Sequence, residues 1–544
     1  MAERQPAGSG TAHRARRARG AGSVALTAVA AVALTALFRF AIGGVPDPDS
    51  YYHFRHAALY ADRGPGLSAF PWLTHSLVSR FASDIGYGFH LLLVPFTRIS
   101  DPVSGVQWSS VFLAALALVC FSLALRRHGL DYAEAWPAML FLLGPPLTYT
   151  FLMTRPQTLT MGFVALLLSF LVVGSPWGVL VAAFALSFTH LNIALVILPI
   201  AVVAYLARGL SERIWSTRPP LLALAGFVLG WLARPNPLGA LRIEYVQTVV
   251  HGLLRREGVP LLFGKEWAPI SLADAASYFP YFLACWVGLA VVVLGMRFTR
   301  KLELPAPLRS LLWSSLVLSV IFFALTVLNT KRGTPLWAAF AVMFVATAFT
   351  ALAHPGGGKA KALGENVRLF TTLAVAFLLV LMMWEGVSSF LLQRKWQSGD
   401  PYRFRPAAEA LARDSRPGDV VYNVDWGYFP ELFFWNTKDR YVSGLDPIFL
   451  YAYDRGRYWK AHHLQAGDTS DLTCATPRCG ESNSEDTYRV LTQDFGARYV
   501  VLEPSRWPAL CAYLTNHPNV TPLVEDRGLL ALRLDAARSK DAVR

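Results

Sequence analysis

Residues 24–57 read VALTAVAAVALTALFRFAIGGVPDPDSYYHFRHA, an apolar run that gives way to a cluster of acidic and aromatic side chains. An apolar run of about 20 residues is long enough for a helix to cross the roughly 30 Å hydrocarbon core of a bilayer. A cleaved signal peptide is the alternative, but Arg39 near the far end of the run, and the many apolar runs that follow, favour a retained helix. The stretch therefore predicts a membrane protein whose first helix ends at a polar loop.

Further apolar runs follow along the chain, which is 54% hydrophobic and only 16% charged. With the first run they predict a polytopic α-helical membrane protein with about eleven transmembrane helices, although the runs between residues 157 and 206 are short or closely spaced. The runs are 104–125, 134–152, 157–174, 176–189, 191–206, 219–233, 276–296, 308–328, 335–353 and 368–391.

The net charge is distributed unevenly along the chain. The formal charge is +14, and the whole excess precedes residue 393, because the segment after it carries as many acidic as basic residues. Basic residues in short loops between apolar runs are typical of cytoplasmic loops, so the excess does not indicate a nucleic-acid partner. Their alternation predicts a cytoplasmic N-terminus and, with an odd number of spans, a C-terminus outside. These basic residues are Arg126, Arg127, Arg208, Arg213, Arg297, Arg300, Lys301, Lys359 and Lys361.

The composition divides the chain into three parts. Residues 1–22 predict a disordered basic cytoplasmic tail, and residues 23–391 a transmembrane domain with outer loops at 44–88 and 234–278. The first loop contains FHLLLVPF, which is too short to cross the membrane and predicts an interfacial helix. Residues 392–544 predict an extracytoplasmic α/β domain, with a helix at PAAEALARD and strands at DVVYNV, ARYVVLE and GLLALRL.

Two of the five cysteines, Cys474 and Cys479, lie close together in the stretch CATPRC. This spacing is compatible with a small disulfide loop, if the segment lies outside the cytoplasm, and equally with two unpaired thiols. Cys120 and Cys285 lie inside apolar runs and are predicted to be buried thiols.

The unusual polar residues gather at the ends of the apolar runs, and the predicted topology places these ends on one side. The runs carry almost no charge at their centres, which argues against an ion-coupled transporter. Carboxylates at such a surface can bind a divalent cation or act as a base, while arginines and lysines can hold a phosphate and stabilise its charge as it leaves. The alternative for each is a charge that only anchors a helix end. The cluster contains Asp47, Asp49, His53, Arg55, Arg155, His190, Asn192, Glu266, Lys331 and Arg332.

The stretch PDPDSYYHFRHA resembles the first outer-loop motif of the catalytic subunits of oligosaccharyltransferases, which belong to the C-type glycosyltransferase (GT-C) superfamily. The resemblance continues through FPWLTHSLVSRFASDIGYGFHLLLVPF and extends loosely to the general layout of the chain. It implies that Asp47 and Asp49 stand at the catalytic acidic position, that Asp49 is a metal ligand and that Asp84 is a further candidate. It also implies Mn²⁺ or Mg²⁺ as the cofactor, and it makes Glu266, in GKEWAPIS, the counterpart of a glutamate that contacts the acceptor.

The chain departs from the pattern of that family in two places. Where the resemblance implies a second acidic pair, the sequence reads Thr154-Arg155-Pro156-Gln157. Where the family has Trp-Trp-Asp, which recognises the hydroxyl of an Asn-x-Ser/Thr acceptor, it reads Asn423-Val424-Asp425, so both tryptophans are absent. Other members of the superfamily use a lone acidic base, without metal, to move a sugar from polyprenyl phosphate to lipid or glycan, and the chain resembles those members in this respect.

Together these residues predict an inverting transfer of a sugar or oligosaccharide from a polyprenyl-phosphate or diphosphate donor, at the outer face of the inner membrane. The acceptor is a glycan, a lipid or a protein. One alternative is a true oligosaccharyltransferase that glycosylates asparagine, and another is a non-catalytic scaffold or a transporter of a lipid substrate. The predicted catalytic residues are Asp47, Asp49 and Glu266, and the predicted substrate ligands are His53, Arg55, Asp84, Arg155, His190, Lys331, Arg332 and Asp425.

Overall fold

The computed structural model describes residues 9–67, 69–262, 264–298, 304–353, 361–397 and 399–535. The predicted apolar runs form helices, and the helices before residue 398 are α1 (Ser9–Ala41), α2 (Asp49–Arg63), α3 (Leu77–Phe81), α4 (Tyr87–Leu93), α5 (Pro102–Arg126), α6 (Trp136–Phe141), α7 (Pro145–Leu152), α8 (Pro156–Val173), α9 (Pro176–Thr189), α10 (Leu191–Ala194), α11 (Ile197–Glu212), α12 (Arg218–Leu232), α13 (Pro237–Tyr245), α14 (His251–Arg256), α15 (Leu272–Tyr278), α16 (Pro280–Phe298), α17 (Ala306–Leu328), α18 (Thr334–Ala353) and α19 (Lys361–Gln397).

The polytopic helical architecture is confirmed. Among the described residues, 7 helices are long and apolar enough to cross a membrane, or up to 9 if each of two pairs bent by 106° is one span. The run 134–152 does not form one helix, because Gly144 and the prolines that follow it separate α6 from α7. The run 176–189 forms α9, which is only 14 residues long.

The membrane helices pack closely where one of them presents glycine. On α12, a Cβ atom at Gly226 would lie 2.4 Å from the carbonyl oxygen of Leu180, and one at Gly230 would lie 2.6 Å from that of Phe184, both on α9. The same small-xxx-small spacing lets membrane helices approach each other closely in general. The most enclosed span is Lys331–Ala353, which contains α18 and is 94% buried.

The first outer loop contains two of the elements that build the candidate site. Helix α2 begins at Asp49, directly after the sequence Pro46-Asp47-Pro48. The stretch FHLLLVPF forms the end of α4 and a 3₁₀ helix at Val94–Arg98, so the prediction of a short helix there is confirmed.

The C-terminal part forms a mixed five-stranded sheet flanked by helices, as predicted. The strand order is β2-β1-β5-β7-β6, with β1 parallel to β2 and β5, and β7 antiparallel to β5 and β6. Cys474 and Cys479 are joined in a disulfide next to a small hairpin of β3 and β4. The elements are α20 (Arg405–Asp414), β1 (Val420–Asn423), α21 (Phe429–Trp435), β2 (Arg440–Tyr441), α22 (Pro447–Tyr453), α23 (Arg455–Ala466), β3 (Leu472–Cys474), β4 (Ser484–Asp486), α24 (Thr487–Arg489), β5 (Ala497–Leu502), α25 (Pro508–Thr515), β6 (Val520–Asp526) and β7 (Leu529–Leu534).

The first outer loop is bound to the sheet of the C-terminal domain. Leu73 forms a parallel bridge to Tyr441, and the backbone N–H of Tyr441 donates to the carbonyl oxygen of Trp72 at 2.7 Å. The indole Nε1 of Trp72 donates to the carbonyl oxygen of Thr437 at 2.9 Å. The loop thereby extends the exposed edge of β2, which positions α2 between the membrane helices and the C-terminal domain.

The predicted domain boundaries do not coincide with helix ends. Helix α1 begins at Ser9, inside the predicted tail, and residues 1–8 lie outside the described residues. Helix α19 continues to Gln397, beyond the boundary predicted at residue 392. Of the basic residues used to predict the topology, Arg300, Lys301 and Lys359 lie outside the described residues.

Candidate active site

A cavity lies where the first outer loop, the ends of several membrane helices and the C-terminal domain meet. It holds about 980 Å³ of atom-free space, including its opening to solvent. Most of the polar residues singled out in the sequence line this cavity, although they come from distant segments. The predicted site residues that line it are Asp49, His53, Asp84, Arg155, His190, Glu266 and Arg332.

Arg155 binds both carboxylates of the Asp-x-Asp motif. Its Nε donates to Oδ2 of Asp47 at 2.6 Å, its Nη2 donates to Oδ1 of Asp47 at 2.7 Å, and Nη2 also donates to Oδ2 of Asp49. Asp49 is the more exposed carboxylate and the one that lines the cavity. Burial raises the pKa of Asp49 to about 6, although Arg155 acts in the opposite direction. A carboxylate with this pKa is well suited to accept a proton near neutral pH.

Glu266 and Arg332 form a second ion pair in the cavity. Nη2 of Arg332 lies 3.3 Å from Oε1 of Glu266, and its guanidinium stacks 3.6 Å above the ring of Trp267. Burial alone would raise the pKa of Glu266, but Arg332 holds it below its ordinary value. The hydroxyl of Thr330 donates to the carbonyl oxygen of Glu266 at 2.9 Å, which joins the loop of Glu266 to the start of the α18 span.

Asp84, His90 and His53 form a hydrogen-bonded chain that ends in the cavity. Oδ2 of Asp84 lies 2.6 Å from Nδ1 of His90, and Nε2 of His90 lies 2.7 Å from Nδ1 of His53. Burial would raise the pKa of Asp84, but His90 and His56, with the hydroxyl of Tyr60, hold it well below its ordinary value. When both imidazoles are neutral, Nδ1–H of His90 donates to the ionised carboxylate of Asp84, which leaves Nε2 of His90 as an acceptor. Nδ1–H of His53 then donates to that Nε2. Nε2 of His53 is therefore left as a hydrogen-bond acceptor.

Neutral polar side chains form another wall of the cavity. Nδ2 of Asn192 donates to Oε1 of Gln247 at 2.7 Å, and Nδ1 of His190 lies 2.7 Å from the hydroxyl of Thr160. Burial, reinforced by nearby arginines, lowers the pKa of His190 to about 3, so its imidazole is neutral. Gln157 also lines the cavity. Amide and imidazole groups of this kind can donate to and accept from sugar hydroxyls.

Four predicted site residues are not among those that line the cavity in the described part of the chain: Asp47, Arg55, Lys331 and Asp425. Arg55 donates from Nε to the carbonyl oxygen of Phe434 at 2.7 Å, so it ties α2 to the C-terminal domain. Asp425 accepts from the backbone N–H of Gly427 and pairs with Arg506. Asp47 lies behind Arg155, and Lys331 follows α17 in a 3₁₀ turn.

Several residues that the sequence did not single out belong to the site. Tyr52, His90 and Gln247 line the cavity, and so do Leu445 and Phe449 of the C-terminal domain. Gln247 lies in a π-helical turn at Val246–Val250, a local irregularity that often accompanies functional sites. The sequence offered a signal for two of them: Tyr52 lies within PDPDSYYHFRHA, and His90 lies within the short run FHLLLVPF of the first outer loop.

In the described part of the chain, two groups of side chains have the composition of metal ligands. Donor atoms of His56, Asp84 and His90 lie within 4.8 Å of one another, but the contacts at Oδ2 of Asp84 are hydrogen bonds from His90 and Tyr60. The second group is His463 with Cys474 and Cys479, whose sulfurs are joined in the disulfide and are not thiolates. At the Asp-x-Asp motif, the guanidinium of Arg155 lies between the two carboxylates and donates to both.

Comparisons with known proteins find similarity at the level of the fold. ArnT from Cupriavidus metallidurans bound to undecaprenyl phosphate aligns with a TM-score of 0.52 and 13% identity, over 94% of this chain and 98% of that chain. Apo ArnT from the same organism gives a TM-score of 0.52 and 14% identity over the same shares. Arabinosyltransferase EmbB from Mycobacterium smegmatis gives a TM-score of 0.37 and 14% identity, over 68% and 41%. No protein-family model and no curated protein matches the sequence. At this level of identity, the similarity to ArnT shows that the two chains share a fold.

Proposed function

We propose that the protein is a membrane glycosyltransferase that moves a sugar from a polyprenyl-linked phosphate or diphosphate to an acceptor. The observation that carries this proposal is the cavity in which Asp49, Arg155, Glu266 and Arg332 converge from distant segments. A partly buried carboxylate beside two guanidinium groups provides both a base and a site for an anionic leaving group.

The donor phosphate binds between Arg155 and Arg332 in this proposal. Nη1 of Arg155 has no hydrogen-bond partner among the described residues, whereas Nε and Nη2 hold the aspartates. Arg332 is oriented by Glu266 and by the ring of Trp267, so its charge is held in place before the substrate arrives. Support for a lipid donor comes from the shared fold, because ArnT binds undecaprenyl phosphate in its structure.

The reaction is an inverting displacement at the anomeric carbon of the donor sugar. The acceptor oxygen attacks that carbon, the bond from the carbon to the phosphate oxygen breaks, and its electron pair leaves with the polyprenyl phosphate. The proton of the acceptor passes to the carboxylate of Asp49, while Arg155 and Arg332 stabilise the negative charge that develops on the phosphate. Glu266 keeps Arg332 in position and faces the same cavity.

The sugar lies against the neutral polar wall. Asn192, Gln247 and His190 present amide and imidazole groups there, and Nε2 of His53 offers an acceptor for one hydroxyl. Leu445 and Phe449 add apolar surface from the C-terminal domain, on the side assigned to the acceptor. The sequence predicted that Asp425 shapes the acceptor side, but Asp425 pairs with Arg506. The carboxylate that lies beside Trp267 belongs instead to Asp446.

The proposal is tested with purified protein in lipid nanodiscs, a panel of radiolabelled polyprenyl-linked sugars and a membrane extract as the source of acceptors. We expect release of the lipid phosphate from at least one donor. The Asp49→Asn variant should release it at least about 100-fold more slowly, which is the usual contribution of a general base. Asp62→Asn, an exposed carboxylate on the same helix, serves as the matched control and should behave as wild type.

The alternatives give different results in the same assay. Transfer of the label to the asparagine of an Asn-x-Ser/Thr peptide would identify an oligosaccharyltransferase. If the protein bound the lipid without cleaving it, and bound it equally well in Asp47→Asn and Asp49→Asn, it would be a scaffold or a transporter. That result would refute the proposed function.

A further inference from the structure

The side chain of Arg155 fills the space between the two carboxylates of the Asp-x-Asp motif. One guanidinium binds both oxygens of Asp47, at 2.6 and 2.7 Å, and Oδ2 of Asp49. The side chains of Arg155 and Asp47 are 18% and 9% exposed. Three carboxylate oxygens thus share one cationic partner in a site that is largely shielded from solvent, where such bidentate pairs are strongest.

The backbone that carries Arg155 is held in place by neighbouring elements. The N–H of Thr154 donates to the hydroxyl of Ser50 at 3.0 Å, and the hydroxyl of Thr154 donates to the carbonyl oxygen of Val106 at 3.0 Å. Ser50 and Thr154 are fully buried or nearly so, at 0% and 1% exposed. The segment before α8 is therefore hydrogen-bonded to the start of α2 and to α5, which holds the backbone of Arg155 next to the aspartates.

The resemblance to oligosaccharyltransferases implies a divalent cation at this position, and these residues do not fit one. Mg²⁺ and Mn²⁺ require several oxygen ligands at short distances. Asp47 has both of its oxygens bound to Arg155, and Asp49 has one. The segment that would supply the second acidic pair supplies a positive charge instead, which repels a dication at the same place.

We propose that Arg155 takes the place of the divalent cation, so that this glycosyltransferase acts without a metal. The catalytic part of this inference rests on the proposed function, whereas the part about metal binding does not. Arg155 supplies the positive charge that a cation would bring to the leaving phosphate, and it holds Asp49 at the edge of the cavity. Asp49 keeps one oxygen for the acceptor because Arg155 binds only its Oδ2.

The first experiment measures Mn²⁺ binding without any substrate. Protein freed of metal with EDTA is placed in nanodiscs of zwitterionic lipid, and Mn²⁺ is titrated by electron paramagnetic resonance, with and without undecaprenyl phosphate. Wild type should show no stoichiometric site. The Arg155→Asp variant restores an acidic residue and should gain one site per chain, which should disappear in the double variant Arg155→Asp, Asp49→Asn.

A second measurement uses the wild-type protein alone, so it does not depend on the folding of a variant. The rate of lipid-phosphate release should be the same with EDTA and with added Mn²⁺. The inference would be overturned if each wild-type chain bound one Mn²⁺ that is lost in Asp49→Asn. It would also be overturned if release stopped in EDTA and returned with Mn²⁺. If no donor is cleaved, the proposed function fails, while the Mn²⁺ titration still decides whether Arg155 has replaced the cation.

Discussion

Asp47 and Asp49 are separated by a single residue, yet their surroundings give them different tasks. Asp47 has both oxygens bound by Arg155, whereas Asp49 lies at the first turn of α2 and lines the cavity with one oxygen unbound to Arg155. A base needs a free lone pair toward its substrate, so Asp49 is the catalytic candidate and Asp47 anchors Arg155. The sequence alone left this choice open.

The raised pKa of Asp49 leads to a prediction about pH. The carboxylate acts as a base only when ionised, and burial raises its pKa to about 6. Lipid-phosphate release should therefore be independent of pH above this value and fall about tenfold for each pH unit below it. The pH profile of release under single-turnover conditions measures this limb.

Glu431 provides the control for that profile, because burial raises its pKa to about 7, with a smaller contribution from the charge of Asp47. The Glu431→Gln variant should keep the acidic limb where wild type has it. A profile that stays flat down to pH 5, or a limb that disappears in Glu431→Gln, would contradict the assignment of Asp49.

The chain from Asp84 through His90 to His53 predicts that Asp84 acts on the substrate only through His53. Asp84→Asn removes the carboxylate that sets the tautomer of His90, so Nε2 of His53 should lose its acceptor role and release should slow about tenfold or more. The readout is a double-mutant cycle: Asp84→Asn should have little further effect in a His53→Ala background. Equal effects in both backgrounds would show that Asp84 acts independently of His53 and would contradict the prediction.

At the scale of elements, the glycines of α12 determine how closely it packs against α9. A Cβ atom at Gly226 would meet the carbonyl oxygen of Leu180 at 2.4 Å, and backbone cannot give way as a flexible side chain can. We expect Gly226→Ala to destabilise the protein by about 1–3 kcal/mol, the usual cost of overpacking. Heating in detergent followed by size-exclusion chromatography measures the loss of folded protein.

Gly288 in α16 is the matched control for this substitution. A Cβ atom there meets nothing within 4 Å, so Gly288→Ala should be neutral or slightly stabilising, since alanine favours a helix over glycine. If Gly226→Ala were as stable as Gly288→Ala, close packing of α12 on α9 would not be required.

At the scale of the whole molecule, the candidate site lies between the membrane helices and the C-terminal domain. Two further features predict how the molecule is oriented in the membrane. Basic loops such as that of Arg126 predict the cytoplasmic side, and a disulfide in the C-terminal domain is typical of an oxidising compartment. In a background without Cys511, a Ser505→Cys variant should react with a membrane-impermeant maleimide in spheroplasts, whereas Glu134→Cys should react only after lysis. The reverse pattern would invert the predicted topology.

The sequence by itself determined the features that depend on local composition. The apolar runs predicted the polytopic helical architecture, and the alternation at DVVYNV, ARYVVLE and GLLALRL predicted β1, β5 and β7. These features follow from the sequence because hydropathy and periodicity are properties of neighbouring residues. Hydropathy did not reveal the helix break at Gly144 or the short length of α9, since both depend on local backbone geometry.

Only the tertiary structure decided which polar residues meet. Arg155 and Asp47 are 108 positions apart, and their pairing depends on the hydrogen bond that holds Thr154, just before α8, to Ser50 in the first turn of α2. The sequence could not show that Arg55 turns toward Phe434, that His90 joins His53 to Asp84, or that Gln247 faces Asn192. Each of these contacts joins a side chain to a group in a distant part of the sequence, and the direction of a side chain is determined by the elements packed around it, which no local pattern encodes.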